Sequence, residues 1–212
     1  MDVKGIIFDL DGVVLSTDHF HYLAWKSLAD ELNIPFTEKD NEKLRGVSRM
    51  ASFEIILANK PELKLTEEEK EKYATQKNEL YRTYLQKMTP ADVSEEVRKT
   101  LSELRAKGYK LAVGSSSKNA GFILERTEMT NYFDAISDGN NITKSKPDPE
   151  VFLKAAEYIG LAPEVCAVIE DAEAGLEGAV AGKMLPVAIG SAHGSPLAKI
   201  SLDSFGDLLK HF

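Results

Sequence analysis

Two aspartates two residues apart, Asp9 and Asp11, follow a short apolar run within the stretch Lys4 to Leu15. A carboxylate can attack a phosphoryl group and hold it covalently, which divides one displacement into two and lets the group pass to a second acceptor. A neighbouring carboxyl can protonate the leaving oxygen and later take the proton of the attacking hydroxyl. Asp9 is read as the nucleophile and Asp11 as the acid–base group. The plainer alternatives are two metal ligands without covalent chemistry, or two Asp side chains that only cap a turn.

Other residues extend this chemistry. Glu170 and Asp171 close a second apolar run, Cys166 to Ile169. With Asp9 and a phosphate they would gather negative charge that only a cation can offset, which implies Mg²⁺ and its preference for oxygen ligands. Taken alone, such an acidic pair is usually solvated. Lys146, just before Pro147, offers a fixed positive partner for a transferring phosphoryl group, and Ser115 a hydrogen bond to it. A surface lysine is the alternative. The run Ser115 to Asn119 opens a helix whose first N–H groups favour anions, although simple capping accounts for it too. Arg49 can grip a phosphate bidentately, so with Ser117, Lys118 and Asn119 it could form a second, non-reacting phosphate site. Two phosphate sites suit a bisphosphorylated sugar. Without that role Arg49 is a surface residue and His21 a half-buried helix residue.

The elements that must position these groups follow from periodicity. Gly5 to Phe8 reads as a strand covered on both faces. Thr17 to Asn33 is a helix, Glu38 to Leu57 one or two helices broken near Gly46, and Thr66 opens a charged helix with a capping box. That charge run is a solvated face. These helices exceed an ordinary crossover and form an inserted cap. After Pro90 the chain alternates: helix Glu95 to Lys107, strand Lys110 to Val113, helix Lys118 to Glu128, strand Phe133 to Ile136, then a helix capped by Asp148 with Pro149 at its first position. Strand Val165 to Ile169, helix Ala172 to Ala181, strand Leu185 to Ile189 and helix Ser204 to His211 complete it. The expected class is α/β, a doubly wound parallel sheet of residues 1–15 and 91–212 with a helical cap of residues 16–90.

A length of 212 residues allows one core and a small module. Lys and Arg number 26 against 34 Asp and Glu, a net charge of -8, which argues against nucleic acid or an anionic membrane as partner. The single cysteine, Cys166, lies in an apolar run, so it is read as an inert small hydrophobe in a reducing compartment. No stretch is apolar for long enough to span a bilayer, and the amino end carries no signal-peptide pattern, so a cytoplasmic monomer is expected.

Asp-x-Asp-Gly at 9–12, Gly114-Ser115-Ser116-Ser117, Lys146-Pro147 and Glu170-Asp171, in this order, resemble the four motifs of the haloacid dehalogenase superfamily. The likeness runs from about Gly5 to Leu209. It is narrowest toward the β-phosphoglucomutase group, through Thr17-Asp18-His19-Phe20-His21, Arg45-Gly46-Val47-Ser48-Arg49 and Ser115-Ser116-Ser117-Lys118-Asn119. The resemblance implies Asp9 as nucleophile and Asp11 as acid and base, with Ser115 and Lys146 on the phosphoryl group. It implies Mg²⁺ on Asp9, the main-chain oxygen of Asp11, and Asp171, with Glu170 a ligand or hydrogen-bonded behind one. Substrate contacts are implied for Thr17, His21, Arg45, Gly46, Val47, Ser48, Arg49, Lys77, Ser116, Ser117, Lys118 and Asn119, His21 pairing with Asp11 or the sugar. Two departures are Arg45, where some members have Lys, and Ser116, where a small apolar residue is common. The implied activity is interconversion of β-glucose 1-phosphate and glucose 6-phosphate through the 1,6-bisphosphate. A sugar-phosphate phosphatase of the same fold and a non-catalytic sugar-phosphate sensor are the alternatives.

Overall fold

The computed structural model describes residues 2–45 and 47–212, which divide into two compact units, residues 1–16 with 89–212 and residues 17–88. The first unit is built on strand β1 (Gly5–Phe8), whose four residues are all buried. In the second, α1 (Asp18–Glu31), α2 (Glu38–Glu42), α3 (Arg49–Leu57) and α4 (Glu67–Leu85) follow in order. The chain then returns to the first unit as α5 (Glu95–Ala106), β2 (Lys110–Gly114), α6 (Ala120–Arg126), β3 (Ala135–Ser137), α7 (Glu150–Tyr158), β4 (Cys166–Glu170), α8 (Glu173–Ala181), β5 (Leu185–Ile189) and β6 (Ile200–Leu202).

The six strands form one parallel sheet in the order β3-β2-β1-β4-β5-β6. This is the doubly wound order, and its direction reverses between β1 and β4, so the crevice beyond the carboxyl ends of those two strands is where a ligand is expected. Registry sets Ile7 beside Ala112 on one side and Val168 on the other. Helices cover both faces because the central strands carry no polar side: β4 is buried at all five positions. Each covering helix supplies one apolar stripe. In α5, capped by Ser94 accepting from the Val97 N–H, the buried positions are Val97, Thr100, Leu101 and Leu104. In α7, Phe152 is wholly buried and packs with Ile7, Ala112 and Val168.

The helical unit has its own core, in which Trp25 stacks on Phe53 at 5.8 Å and Leu28, Ile34, Phe36 and Ile56 close around them. Its longest helix, α4, opens on the expected capping box, Thr66 with Glu69. The buried stripe of α4 is Ala74, Lys77, Tyr81 and Leu85. A lysine at a core-facing position of an otherwise charged surface helix needs a partner, and the site below supplies it.

Four expectations change. The helix after β2 begins at Ala120 rather than Lys118, because the Ser115 and Ser117 hydroxyls accept from the N–H groups of Ser117 and Asn119 and hold this segment as a loop. Pro149 is the residue before α7 rather than its first position, and Asp148 Oδ1 accepts from the Glu150 N–H. The closing helix is a 3₁₀ segment, Phe205–Lys210. The three-residue β6 was not expected. Among the described residues no helix is long and apolar enough to cross a membrane.

Phe152 fills space between the sheet and α7 that no neighbour can close. Phe152→Ala should therefore cost about 3–5 kcal/mol, read as an earlier urea transition of the far-UV circular dichroism.

Candidate active site

Asp9 is the first residue past β1, and its N–H still donates to the Ile169 carbonyl at 2.9 Å, so the ladder with β4 fixes its main chain. Glu170 ends β4 and Asp171 follows it. Parallel pairing therefore brings Asp9 to two adjacent carboxylates, the nearer of them 161 positions away in sequence. Asp9, Glu170 and Asp171 are all buried, and one oxygen of each lies within 4.8 Å of the others.

Lys146 enters this cluster from the loop between β3 and α7. Its ammonium donates to Asp9 Oδ1 and, at 2.8 Å, to Glu170 Oε2, and it lies 4.8 Å from the centre of the Phe152 ring. Burial disfavours the charge on Lys146, but Asp9 and Glu170 outweigh burial and raise its pKa, so it stays protonated. Burial also pushes Glu170 up, to about 8, with Asp9 and Asp171 adding to the rise against the opposing pull of Lys146. One ammonium is thus too little positive charge for three carboxylates.

A divalent cation fits this deficit, and the donor set supports it on two structural grounds. Glu170 Oε1 is buried without a hydrogen-bond partner, a state that costs free energy unless a further group binds it. Two glycines leave room for the carboxylates: a Cβ at Gly12 would collide with Asp171 Oδ2, and one at Gly175 would collide with the Glu170 carboxyl group. At Gly12 the backbone also has φ near +87°, where other residues are strained. Asp9, Glu170 and Asp171 would hold the cation. Asp11 lies in the tight turn closed by the Val14 and Leu15 N–H groups on the Leu10 carbonyl, and is only partly buried.

Ser115 follows β2, where its N–H donates to the Ser137 carbonyl at 3.0 Å. Its oxygen accepts from Ser117 N–H at 3.2 Å, which leaves the hydroxyl proton to donate to a ligand. Ser116 Oγ is buried with no partner, while Lys118 is exposed and Asn119 buried. Cys166 is buried at the start of β4, and burial pushes its thiol up to about 11, which leaves it protonated and unreactive.

The helical unit gathers a second set. Lys77 Nζ lies 2.9 Å from His21 Nδ1, and 4.5 and 4.7 Å from the ring centres of Trp25 and Tyr81. Since an ammonium only donates, Nδ1 must accept and the imidazole proton sits on Nε2. His21 stacks on Tyr81 at 4.1 Å, and the Tyr81 hydroxyl bonds Thr17 Oγ1 at 2.8 Å. Burial first, then the charges of Lys77 and Arg49, hold the His21 pKa well below its usual value. Arg49 Nη2 donates to Asn78 Oδ1 at 2.9 Å.

The structure thus brings together Asp9, Lys146, Glu170 and Asp171 in one unit, and Thr17, His21 and Lys77, with Arg49 near His21, in the other. It gives two expected substrate residues local roles as well: Arg45 Nε donates to Asp18 Oδ2 at 2.6 Å, and Ser48 caps α3 by accepting from Ala51 N–H. Val47 is partly buried, its N–H bonding the Leu44 carbonyl, and Gly46 lies outside the described residues. Asn78 and Tyr81 were not singled out by sequence. Tyr81 was discoverable, four residues beyond Lys77 on one helix face, whereas Asn78 is marked only by its contact.

The haloacid dehalogenase-like hydrolase family profile matches residues 3–182. A β-phosphoglucomutase of Bacillus subtilis is 40% identical over 196 residues, 92% of this chain and 86% of that one. A crystal structure of β-phosphoglucomutase from Clostridium difficile superposes with a TM-score of 0.91 at 34% identity, covering 97% of this chain and 93% of that one. A phosphorylated carbohydrates phosphatase of Thermotoga maritima is 28% identical over 84% of this chain and 80% of its own.

His21 carries a pH signature. Its folded pKa lies below the ordinary 6.5, so between the two values the unfolded chain binds more protons and stability falls as pH drops through 6.5. In the same range the raised pKa of Glu170 acts in the opposite sense, so the His21 contribution is read as the difference in melting temperature between the native protein and His21→Gln from about pH 6.5 to about pH 5. That difference should shift in favour of His21→Gln as pH falls over this range, and a difference that does not change with pH would refute the neutral imidazole.

Proposed function

The chain belongs to the haloacid dehalogenase-like hydrolase family and is a β-phosphoglucomutase-like enzyme of phosphoryl transfer; from that premise we propose that it is a Mg²⁺-dependent mutase for a small sugar phosphate, acting in the cytoplasm. The reaction we infer interconverts β-glucose 1-phosphate and glucose 6-phosphate through the 1,6-bisphosphate. The observation that carries phosphoryl transfer is the Asp9 carboxylate, fixed by Lys146 at the mouth of the β1–β4 crevice and faced by Glu170 and Asp171. The mutase reading is favoured over hydrolysis by the greater likeness to a mutase, 40% identity against 28% for the phosphatase.

In this reading Asp9 attacks phosphorus, the bond to the sugar oxygen breaks, and Asp11 delivers a proton to that oxygen. The 6-hydroxyl of a β-glucose 1-phosphate molecule then loses its proton to Asp11 and attacks the phosphoaspartate, which forms the 1,6-bisphosphate and frees Asp9, and transfer of the 1-phosphate of that bisphosphate to Asp9 releases glucose 6-phosphate. Lys146 and the Ser115 hydroxyl hold the transferring group, while Mg²⁺ supplies the charge that lets a phosphate approach three carboxylates. Arg49, oriented by Asn78, grips the phosphate that does not react. Lys77, which donates to His21, contacts the sugar phosphate.

Primed with a catalytic amount of the 1,6-bisphosphate, the native protein should convert β-glucose 1-phosphate to glucose 6-phosphate with little release of free phosphate. Arg49→Ala should lower this isomerisation by about two orders of magnitude, the loss of a charge-assisted contact of roughly 3 kcal/mol, and leave slow hydrolysis of small phosphate esters largely intact. Phosphate released in step with substrate, with no isomer formed, would establish the phosphatase reading instead. Excess chelator should abolish turnover and added Mg²⁺ restore it; full activity in chelator would remove the cation from the mechanism.

A further inference from the structure

We propose that Ser191, in the turn after β5, is a positioning residue that fixes Asp171 and biases the carboxylate cluster toward Mg²⁺ over the larger Ca²⁺. The proposal rests on the reading of Asp9, Glu170 and Asp171 as a divalent-cation site, and adds a residue that lies outside every motif of the sequence.

Registry places the turn where it can act. Glu170 pairs with Ala188, so the 3₁₀ turn Gly190–Ala192 that follows β5 emerges beside Asp171. There the Ser191 hydroxyl donates to the Asp171 main-chain carbonyl at 2.8 Å, and its oxygen makes a longer approach of 3.4 Å to Asp171 Oδ2. The main chain at Gly12 also lies so close that a Cβ there would collide with Asp171 Oδ2 and Cγ. Asp171 therefore has the Gly12 main chain and the Ser191 turn as close neighbours. Ser191 itself is exposed and adds no apolar packing, so its contribution is the hydrogen bond and what that bond holds still.

A fixed carboxylate does not serve all cations equally. Mg²⁺ demands near-ideal octahedral geometry with short bonds, whereas Ca²⁺ accepts more ligands at longer and more variable distances. Freedom to swing costs the smaller ion more. Groups that hydrogen-bond behind a metal ligand commonly contribute 10- to 100-fold in affinity.

The test is calorimetric titration of the metal-free full chain with MgCl₂ and, separately, CaCl₂, beside melting of the metal-free protein. Ser191→Ala should weaken Mg²⁺ binding about tenfold and Ca²⁺ binding by less than about threefold, with little change in the metal-free melting temperature. Ser191→Thr keeps the donor and should retain native affinities. Ser191→Cys, close in size but a poor donor, carries the same test if the alanine variant does not fold. Ser201→Ala is the control: it breaks only the bond from the Gly194 N–H to Ser201 Oγ in the same loop and should leave both ions unaffected. Unchanged Mg²⁺ affinity in the alanine and cysteine variants, or a loss equal to or smaller than that for Ca²⁺, overturns the proposal. Asp171→Asn separates the two levels. Native Mg²⁺ affinity in that variant sinks the cation site itself, whereas its loss there with intact affinity in Ser191→Ala sinks only the role of Ser191.

Discussion

The interaction on which the first unit depends is one ammonium shared by two buried carboxylates. Lys146 bonds both Asp9 and Glu170 where its side chain and that of Glu170 are each only 1% exposed. Taking such charges from water costs several kcal/mol per ion and is repaid only by close pairing with further hydrogen bonds. The pairing here is incomplete. Asp171 adds a third carboxylate, Glu170 Oε1 has no partner, and the pKa of Glu170 rises although Lys146 opposes it. A cluster built only for stability would be better replaced by apolar groups of equal volume. An unbalanced one is explained by what it is built to receive.

The sheet supplies this arrangement at little cost in chain length. Because β1 and β4 are neighbours and the winding reverses between them, residues one step beyond each strand meet in a crevice that no crossing helix covers. The Asp9 main chain is set by the ladder itself, through its bond to Ile169. Lys146 must come from elsewhere, and it arrives over Phe152, whose burial against Ile7 and Ala112 gives the ammonium a rigid floor. A site carried on strand ends is positioned by backbone hydrogen bonds, which are far less adjustable than side-chain rotamers.

What the sequence revealed follows from the same logic. Asp9, Glu170 and Asp171 were legible because each ends an apolar run, and a strand end in a parallel sheet has one geometric meaning. The alternation of strands and helices after Pro90 was legible for the same reason. β6 was not, since Ile200-Ser201-Leu202 is too short to show a period and forms by pairing with β5. The run Ser115 to Asn119 looked like a helix start because Ser and Asn favour caps; here the hydroxyls take up the N–H groups and keep the segment out of the helix. Arg45 looked like a ligand-binding residue from its neighbours, and its pairing with Asp18 depends on a contact 27 residues away in sequence. Ser191 and Asn78 act through bonds to Asp171 and Arg49, 20 and 29 positions distant, which no local pattern encodes.

The two units solve opposite electrostatic problems. The sheet unit buries an excess of carboxylate, a charge that a divalent cation would offset. The helical unit buries a lysine instead, and meets its cost with two aromatic rings and the lone pair of a neutral histidine. The depressed pKa of His21 is the signature of this choice, since a protonated imidazole beside Lys77 and Arg49 would add repulsion without adding a partner.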